Sequence, residues 1–218
     1  GLSADLLVPG WTDKVAKPAN AVLPVIEVTG DAAVVDPGGD IEKILAGVQQ
    51  MGGKVKKILL THGHLDHCAA AKDLADQLGV PIEGPQEDER FWIDQLPEQT
   101  VRFGFGHAKV FEPDRWLNNG DHVKVGNVDL EVFHCPGHTP GHIVFFDKED
   151  RLAIVGEVLF AGSIGRTDFP RGNHADLINA IKTKLWPLGD DVQFVPGHGP
   201  MSTFGQERKT NPYVGDGA

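Results

Sequence analysis

The chain has 218 residues, 40% of them hydrophobic and 23% charged, which is the balance of a globular protein with a sizeable core. Its formal net charge of −11 argues against a nucleic-acid partner, because the phosphate backbone attracts clusters of Lys and Arg. No apolar run is long enough to span a membrane, and two cysteines, Cys68 and Cys135, are too few for a disulfide framework. We therefore expect a cytoplasmic protein, a monomer or small homo-oligomer, that acts on a small molecule.

The predicted elements are short and bounded by turn residues. The runs typical of β-strands are, in order, AVLPVIEV, AAVVD, VKKILLT, VKVGNVDLEVFH, HIVFFD, RLAIVGEVLF and VQFVPG. Helical spacing of apolar residues appears in DIEKILAGVQQM, CAAAKDLADQLG and HADLINAIKTKLWPLG, with Asp40 and Asn173 as predicted N-caps. Between residues 85 and 120 we expect one short helix and a long loop, and TNPYVGDGA is typical of a tail. Strands with interspersed helices predict one α/β domain over residues 1–218.

Side chains that bind metals crowd the segment THGHLDHCAA, directly after a predicted strand. His62 and His64 alternate, so on an extended backbone they point the same way. Asp66 and His67 follow where the loop enters a predicted helix. Imidazole nitrogen and carboxylate oxygen are ligands of Zn²⁺ and of neighbouring metals. The segment therefore offers two pairs of metal ligands at one strand end.

Three further strand ends carry the same kinds of side chain. His138 lies in HCPGHTPGH after one predicted strand, Glu157 directly follows another in VGEVLF, and His198 ends a third in FVPGHG. Ligands tend to lie on loops that a rigid scaffold positions. Four strand ends that each carry such side chains predict that the side chains meet in one shared site.

The ordered set H-x-H-x-D-H at 62–67, then His138, Glu157 and His198, resembles the metallo-β-lactamase-fold superfamily from about residue 20 to 199. The segments HCPGHTPGHIVFF, GSIGRTDFPRGN and VPGHGPMST are most similar to short, type II glyoxalase II-like hydroxyacylglutathione hydrolases. This resemblance implies an αββα sandwich that holds two divalent metal ions at one edge. Zinc is the expected metal, with iron and manganese as alternatives.

The resemblance also implies a role for each ligand. The first metal would be held by His62, His64 and His138, and the second by Asp66, His67 and His198. Glu157 stands where the family has an Asp that bridges both metals, and it is longer by one methylene. A carboxylate of either length can join two ions, but the change could weaken one metal site, alter metal choice or reduce turnover.

The activity implied is hydrolysis of a small-molecule thioester, S-lactoylglutathione or a related acyl-glutathione, by a metal-bound hydroxide that Asp66 orients. Arg166 would contact the substrate, with an ion pair to Asp168 as the equal alternative. Asp36 and His142 are expected to support the ligands from behind. Trp11 suggests a further hypothesis, an apolar flap over the site.

Three other functions stay open. Persulfide dioxygenases of this fold share a GRTDF-like segment but use one iron held by two His and one Asp, whereas this chain keeps His67 and His198. Most β-lactamases of the fold carry no bridging acid, and some use a Cys ligand. A weakly active metal-binding protein would result if Glu157 cannot bridge the two metals as the usual Asp does. A nuclease is disfavoured by the acidic charge balance.

Overall fold

The computed structural model describes residues 30–218, together with the backbone of residues 15–16 and 23–24. The flap suggested at Trp11 lies outside the described residues. The described strands are β1 (Val15–Ala16), β2 (Leu23–Pro24), β3 (Asp31–Val35), β4 (Lys54–Leu59), β5 (Ile82–Glu83), β6 (His122–Val125), β7 (Val128–His134), β8 (Ile143–Asp147), β9 (Leu152–Gly156), β10 (Leu159–Phe160), β11 (Ser163–Ile164), β12 (Gln193–Pro196) and β13 (Ser202–Thr203). The α-helices are α1 (Ile41–Gln50), α2 (Leu65–Cys68), α3 (Ala71–Leu78), α4 (Arg90–Ile93), α5 (Leu96–Phe103), α6 (His174–Ala180) and α7 (Phe204–Thr210).

Two sheets dominate the described part of the chain. The smaller is parallel and has the order β3-β4-β5, and the larger has the order β13-β12-β9-β8-β7-β6. Within the larger sheet, β9 and β12 pair in parallel, and the other neighbours are antiparallel. Parallel β3 and β4 need a crossover connection, which α1 provides. The short strands β1–β2 and β10–β11 form separate antiparallel pairs.

Alternating side chains divide the interior into three apolar layers. On β3, Ala33 and Val35 join the layer between the two sheets, while Val34 joins the layer under the helices α1 and α3. On β8, Phe145 faces the other sheet and Phe146 faces α6 and α7. Strands that are apolar on both faces must be covered on both sides. The order is therefore helix, sheet, sheet, helix, which confirms the predicted αββα sandwich.

The structure corrects several local predictions. It contains two helices that the sequence analysis missed, α5 and α7, and the segment predicted as a tail is docked, because the Trp186 indole donates to the Val214 carbonyl at 3.2 Å. Asn173 caps α6 through its side chain, as predicted. Asp40 does not cap α1, because its backbone is left-handed with φ of 51° and its side chain makes no cap hydrogen bond. No described helix has both the length and the apolarity needed to cross a bilayer.

Candidate metal centre

Two groups of ligand-type side chains converge at the ends of β4, β7, β9 and β12. Within each group, one nitrogen or oxygen atom per residue lies within 4.8 Å of the others, and the same holds for a third set, Asp36, His62 and His67, which shares one residue with each group. The first group is His62, His64 and His138, and the second is Asp66, His67 and His198. These are the two sets that the resemblance implied, now brought together from segments far apart in the chain.

The geometry of the first group fits one metal ion. The Nε2 atom of His138 lies 3.1 Å from Nδ1 of His64. Two nitrogens bound to one tetrahedral Zn²⁺ at about 2.0–2.1 Å would stand roughly 3.3 Å apart. The other ring nitrogen of His138, Nδ1, donates to the carbonyl of Arg166 at 2.7 Å, which leaves Nε2 as the ligand atom. Nε2 of His62 is buried without a hydrogen-bond partner, as expected of a nitrogen that binds a metal.

The protonation states of the first group also suit a ligand role. Burial lowers the pKa of His62 well below its usual value, and the neighbouring imidazoles act in the same direction. Burial and the adjacent His138 lower the pKa of His64 to about 3, and burial lowers that of His138 itself. All three rings are therefore neutral near pH 7, and neutral imidazole is the form that binds a metal.

The second group lies among carboxylates, which favour a positive charge there. Nε2 of His67 lies 3.1 Å from Oε1 of Glu157 and 3.4 Å from Oδ2 of Asp66. Nε2 of His198 lies 3.3 Å from each of the same two oxygens. Burial opposes the charging of His67, but the adjacent carboxylates of Asp36 and Glu157 raise its pKa to about 10. Such surroundings would stabilise a divalent cation in place of the proton.

Glu157 belongs geometrically to the second group. Its ion pairs in the described part of the chain are with His67 and His198, and its Oε1 is buried without a hydrogen bond. Gly197 makes room for the longer side chain, because a Cβ there would stand 2.6 Å from Oε1 of Glu157. The extra methylene is thus accommodated with the carboxylate still directed at the ligands. Whether it bridges two metals stays a prediction.

Asp36 and His142 lie directly behind the ligands. Asp36 accepts hydrogen bonds from the Thr61 amide at 2.8 Å, the Thr61 hydroxyl at 2.6 Å and Nδ1 of His67 at 3.1 Å. His142 stacks on His62 with a centroid distance of 4.6 Å, and its Nε2 accepts from the Glu157 amide at 3.1 Å. Partners of this kind fix the orientation of a ligand and which of its nitrogens faces the metal.

A cavity of about 710 Å³ opens above both groups. Aromatic side chains line it, and it also contains two arginines: the lining includes Trp92, Phe103, Phe105, Phe169, Arg102 and Arg166. Arg166 forms a two-pronged ion pair with Asp168 at 2.7 Å and 2.7 Å, the alternative to substrate contact that the sequence left open. Arg102 is exposed and has no acidic partner among the described residues. The sequence analysis did not single out Arg102, because it lies in the predicted loop.

Two buried polar residues near the ligands were also missed. Glu89 and Gln99 are 0% and 6% exposed, and both hydrogen-bond to backbone amides of the segment that carries His62 and His64. Neither follows a strand or belongs to a ligand motif, so only the long-range contacts reveal them. Their segment was predicted to be largely irregular.

Comparisons with known proteins identify the family to which this fold belongs. The sequence profile of the Metallo-beta-lactamase superfamily matches residues 18–198. Hydroxyacylglutathione hydrolase GloC of Haemophilus influenzae is 47% identical over 185 residues, which cover 84% of this chain and 87% of that protein. The crystal structure of the BLEG-1 B3 metallo-beta-lactamase aligns with a TM-score of 0.82 at 30% identity, over 98% of this chain and 99% of that one. TTHA1623 in a di-iron-bound form aligns with a TM-score of 0.80 at 33% identity, over 91% and 98% of the two chains.

Proposed function

The chain belongs to the metallo-β-lactamase superfamily and is a metallo-hydrolase, and on that premise we propose that it hydrolyses S-lactoylglutathione or a related acyl-glutathione. The observation that carries the proposal is the convergence of two complete ligand groups below one cavity. The relative named hydroxyacylglutathione hydrolase supports the same thioester class. The di-iron form of TTHA1623 supports a centre with two metal ions.

The donor set fits two divalent ions, one in each ligand group, with zinc, iron and manganese all compatible with His and carboxylate ligands. When bound, two such ions would supply a water of lowered pKa and an electrophile for the substrate carbonyl. A thioester suits this site because a thiolate leaves without a strong general acid. The products are the carboxylic acid and the free thiol, formed as a C–O bond replaces the C–S bond.

Asp66 is the residue proposed to orient the nucleophilic water. Its Oδ2 faces both His67 and His198, and its side chain is half-exposed to the cavity. Burial opposes ionisation, but the hydrogen bond from His198 holds the pKa of Asp66 well below its usual range. Asp66 is therefore ionised near pH 7, and its carboxylate can accept a hydrogen bond from the water molecule. Trp92 and Phe169 line the same cavity as an edge-to-face aromatic pair, with ring centroids 6.3 Å apart.

A β-lactam is the second candidate substrate, favoured by the likeness to BLEG-1. The test of function is therefore a comparison on one purified sample. We expect S-lactoylglutathione to release lactate and free thiol in equal amounts, with activity lost on chelation and restored by the metal. Coenzyme A thioesters in parallel would define the thiol part. Turnover of nitrocefin without thioester hydrolysis would establish the β-lactamase alternative, and oxygen uptake with glutathione persulfide the dioxygenase one.

Arg102 is the cation in the cavity wall that we propose binds a substrate carboxylate, with Arg166 in a smaller role because Asp168 already neutralises it. For Arg102→Met we expect KM to rise about fivefold with kcat little changed, the size of a solvent-exposed charge-assisted contact of about 1 kcal/mol. Steady-state kinetics with S-lactoylglutathione measures this. Arg90→Met is the matched control, because Arg90 pairs with Glu112 at 3.1 Å and does not line the cavity. An equal KM for Arg102→Met and Arg90→Met would contradict the assignment.

A further inference from the structure

Glu89 is a fully buried carboxylate that belongs to neither ligand group. Its Oε1 accepts a hydrogen bond from the Gly63 amide at 2.9 Å, and its Oε2 accepts one from the Gly141 amide at 2.7 Å. Each oxygen thus serves a different backbone segment. Burial of a carboxylate is costly unless such bonds compensate it, so this arrangement calls for a physical reason.

The two amides lie on the two loops that carry the first ligand group. Gly63 stands between His62 and His64, and Gly141 lies between His138 and His142. The two loops are about 75 residues apart in sequence, yet one side chain joins them through their backbones, within hydrogen-bond distance of both. Glu89 thus links the backbone of the loop that carries His138 to the backbone of the loop that carries His62 and His64.

The surrounding backbone is built to allow this close approach. A Cβ at Gly141 would stand 2.7 Å from the Gln86 carbonyl oxygen and 2.9 Å from Oε2 of Glu89. A Cβ at Gly63 would stand 3.2 Å from Cγ of Glu89. The Gln86 amide also donates to the Gly141 carbonyl at 3.2 Å, so the segment before α4 holds the Gly141 loop from two sides.

We propose that Glu89 is a positioning residue that sets the spacing of the two loops and thereby preorganises His62, His64 and His138 for a metal ion. When ionised, Glu89 offers two acceptor oxygens, which an amide side chain does not, and the Gly63 and Gly141 amides that it contacts are both donors. The inference rests on the metal-binding part of the proposed function and is independent of the substrate.

The test uses Glu89→Gln in the full chain. Glutamine keeps the shape but offers one acceptor, so its NH₂ group would face an amide N–H and leave that donor unsatisfied. Titration of Zn²⁺ against a chromophoric chelator should show one of the two dissociation constants rising 10- to 100-fold, the usual effect of losing a partner behind a metal ligand. Hydrogen exchange of the metal-free protein should show faster exchange at Gly63 or Gly141.

Glu207→Gln is the matched control. Glu207 is 2% exposed and likewise accepts from a backbone amide, that of Gly162 at 2.7 Å, and from the Ser202 hydroxyl at 2.6 Å, but it joins α7 to the β10–β11 pair. We expect it to cost stability with both Zn²⁺ dissociation constants unchanged. Glu89→Asp keeps both acceptor oxygens but moves them away from the Gly63 and Gly141 amides, so it should give an intermediate loss of Zn²⁺ affinity. It replaces Glu89→Gln in the test if that variant does not fold. Unchanged Zn²⁺ affinity in a folded Glu89 variant would overturn the proposal, whatever the thioester assay shows.

Discussion

Replacing Asp66 with Asn is expected to lower kcat/KM for the proposed thioester hydrolysis by about a thousandfold, the middle of the range for loss of a proton-accepting group. The loss corresponds to about 4 kcal/mol of transition-state stabilisation. Its cause is twofold. Asn removes the negative charge that faces His67 and His198 at 3.4 Å and 3.3 Å, and it removes the carboxylate proposed to hold the water. Steady-state kinetics on samples of measured metal content separates the two causes.

The control for Asp66 is Asp76→Asn. Asp76 lies on α3 and pairs with Lys72 at 2.9 Å on the surface, so the same change of charge occurs away from the site. An exposed pair of this kind contributes about 0.3–0.5 kcal/mol, too little to affect catalysis. If Asp66→Asn kept more than a tenth of the parent activity with a full metal content, Asp66 would not be a catalytic residue.

Replacing Glu157 with Gln has the second-largest expected effect, a fall of about a hundredfold in kcat/KM together with weaker binding of one metal ion. The reason is its position, since Oε1 lies 3.1 Å from Nε2 of His67 and 3.3 Å from Nε2 of His198. Gln retains an oxygen but loses the charge that helps this group attract a cation. Elemental analysis after dialysis should find the metal content reduced by about one ion per chain.

Glu157→Asp distinguishes between two alternatives. Either Glu157 supports activity, or its extra methylene impairs the metal site. The Glu157 amide donates to His142 at 3.1 Å and the Gly197 amide donates to the Gly156 carbonyl at 2.8 Å, which fixes the backbone here. The shorter side chain would therefore withdraw its carboxylate from His67 and His198. We therefore expect Glu157→Asp to lower activity. A large rise in hydrolysis would instead support the weakly active metal-binding alternative, in which the longer acid has impaired the site.

The side chains proposed as ligands could be recognised from sequence because each is marked locally. His62, His64 and His67 are a compact motif after an apolar strand, and Glu157 and His198 each end a strand. The αββα arrangement itself came from resemblance, since the periodicity of short strands does not specify which sheet each one joins. The structure shows why both sheets are needed. Strand β4 of the smaller sheet leads into residues 62–67, and β7, β9 and β12 of the larger sheet lead to His138, Glu157 and His198.

Some features could not be recognised from the sequence because they depend on contacts between distant segments. Glu89 stands in an acidic stretch with no ligand spacing, and its importance appears only when Gly63 and Gly141 are brought to it. Helix α5 carried two local signals that were not used, a Pro in its first turn and Gly104 at its end with φ of 68°. The partner of Arg166 stayed open because Asp168 and a substrate carboxylate offer the same chemistry.

In the proposed function, the two ligand groups each hold one divalent ion and hydrolysis depends on both. The most direct measurement is elemental analysis of the purified protein, with the thioester assay run on the same sample before and after treatment with a chelator. We expect about two metal ions per chain at full activity, and activity that falls with metal content and returns when metal is added. Undiminished thioester hydrolysis by a sample stripped of metal would contradict the proposal.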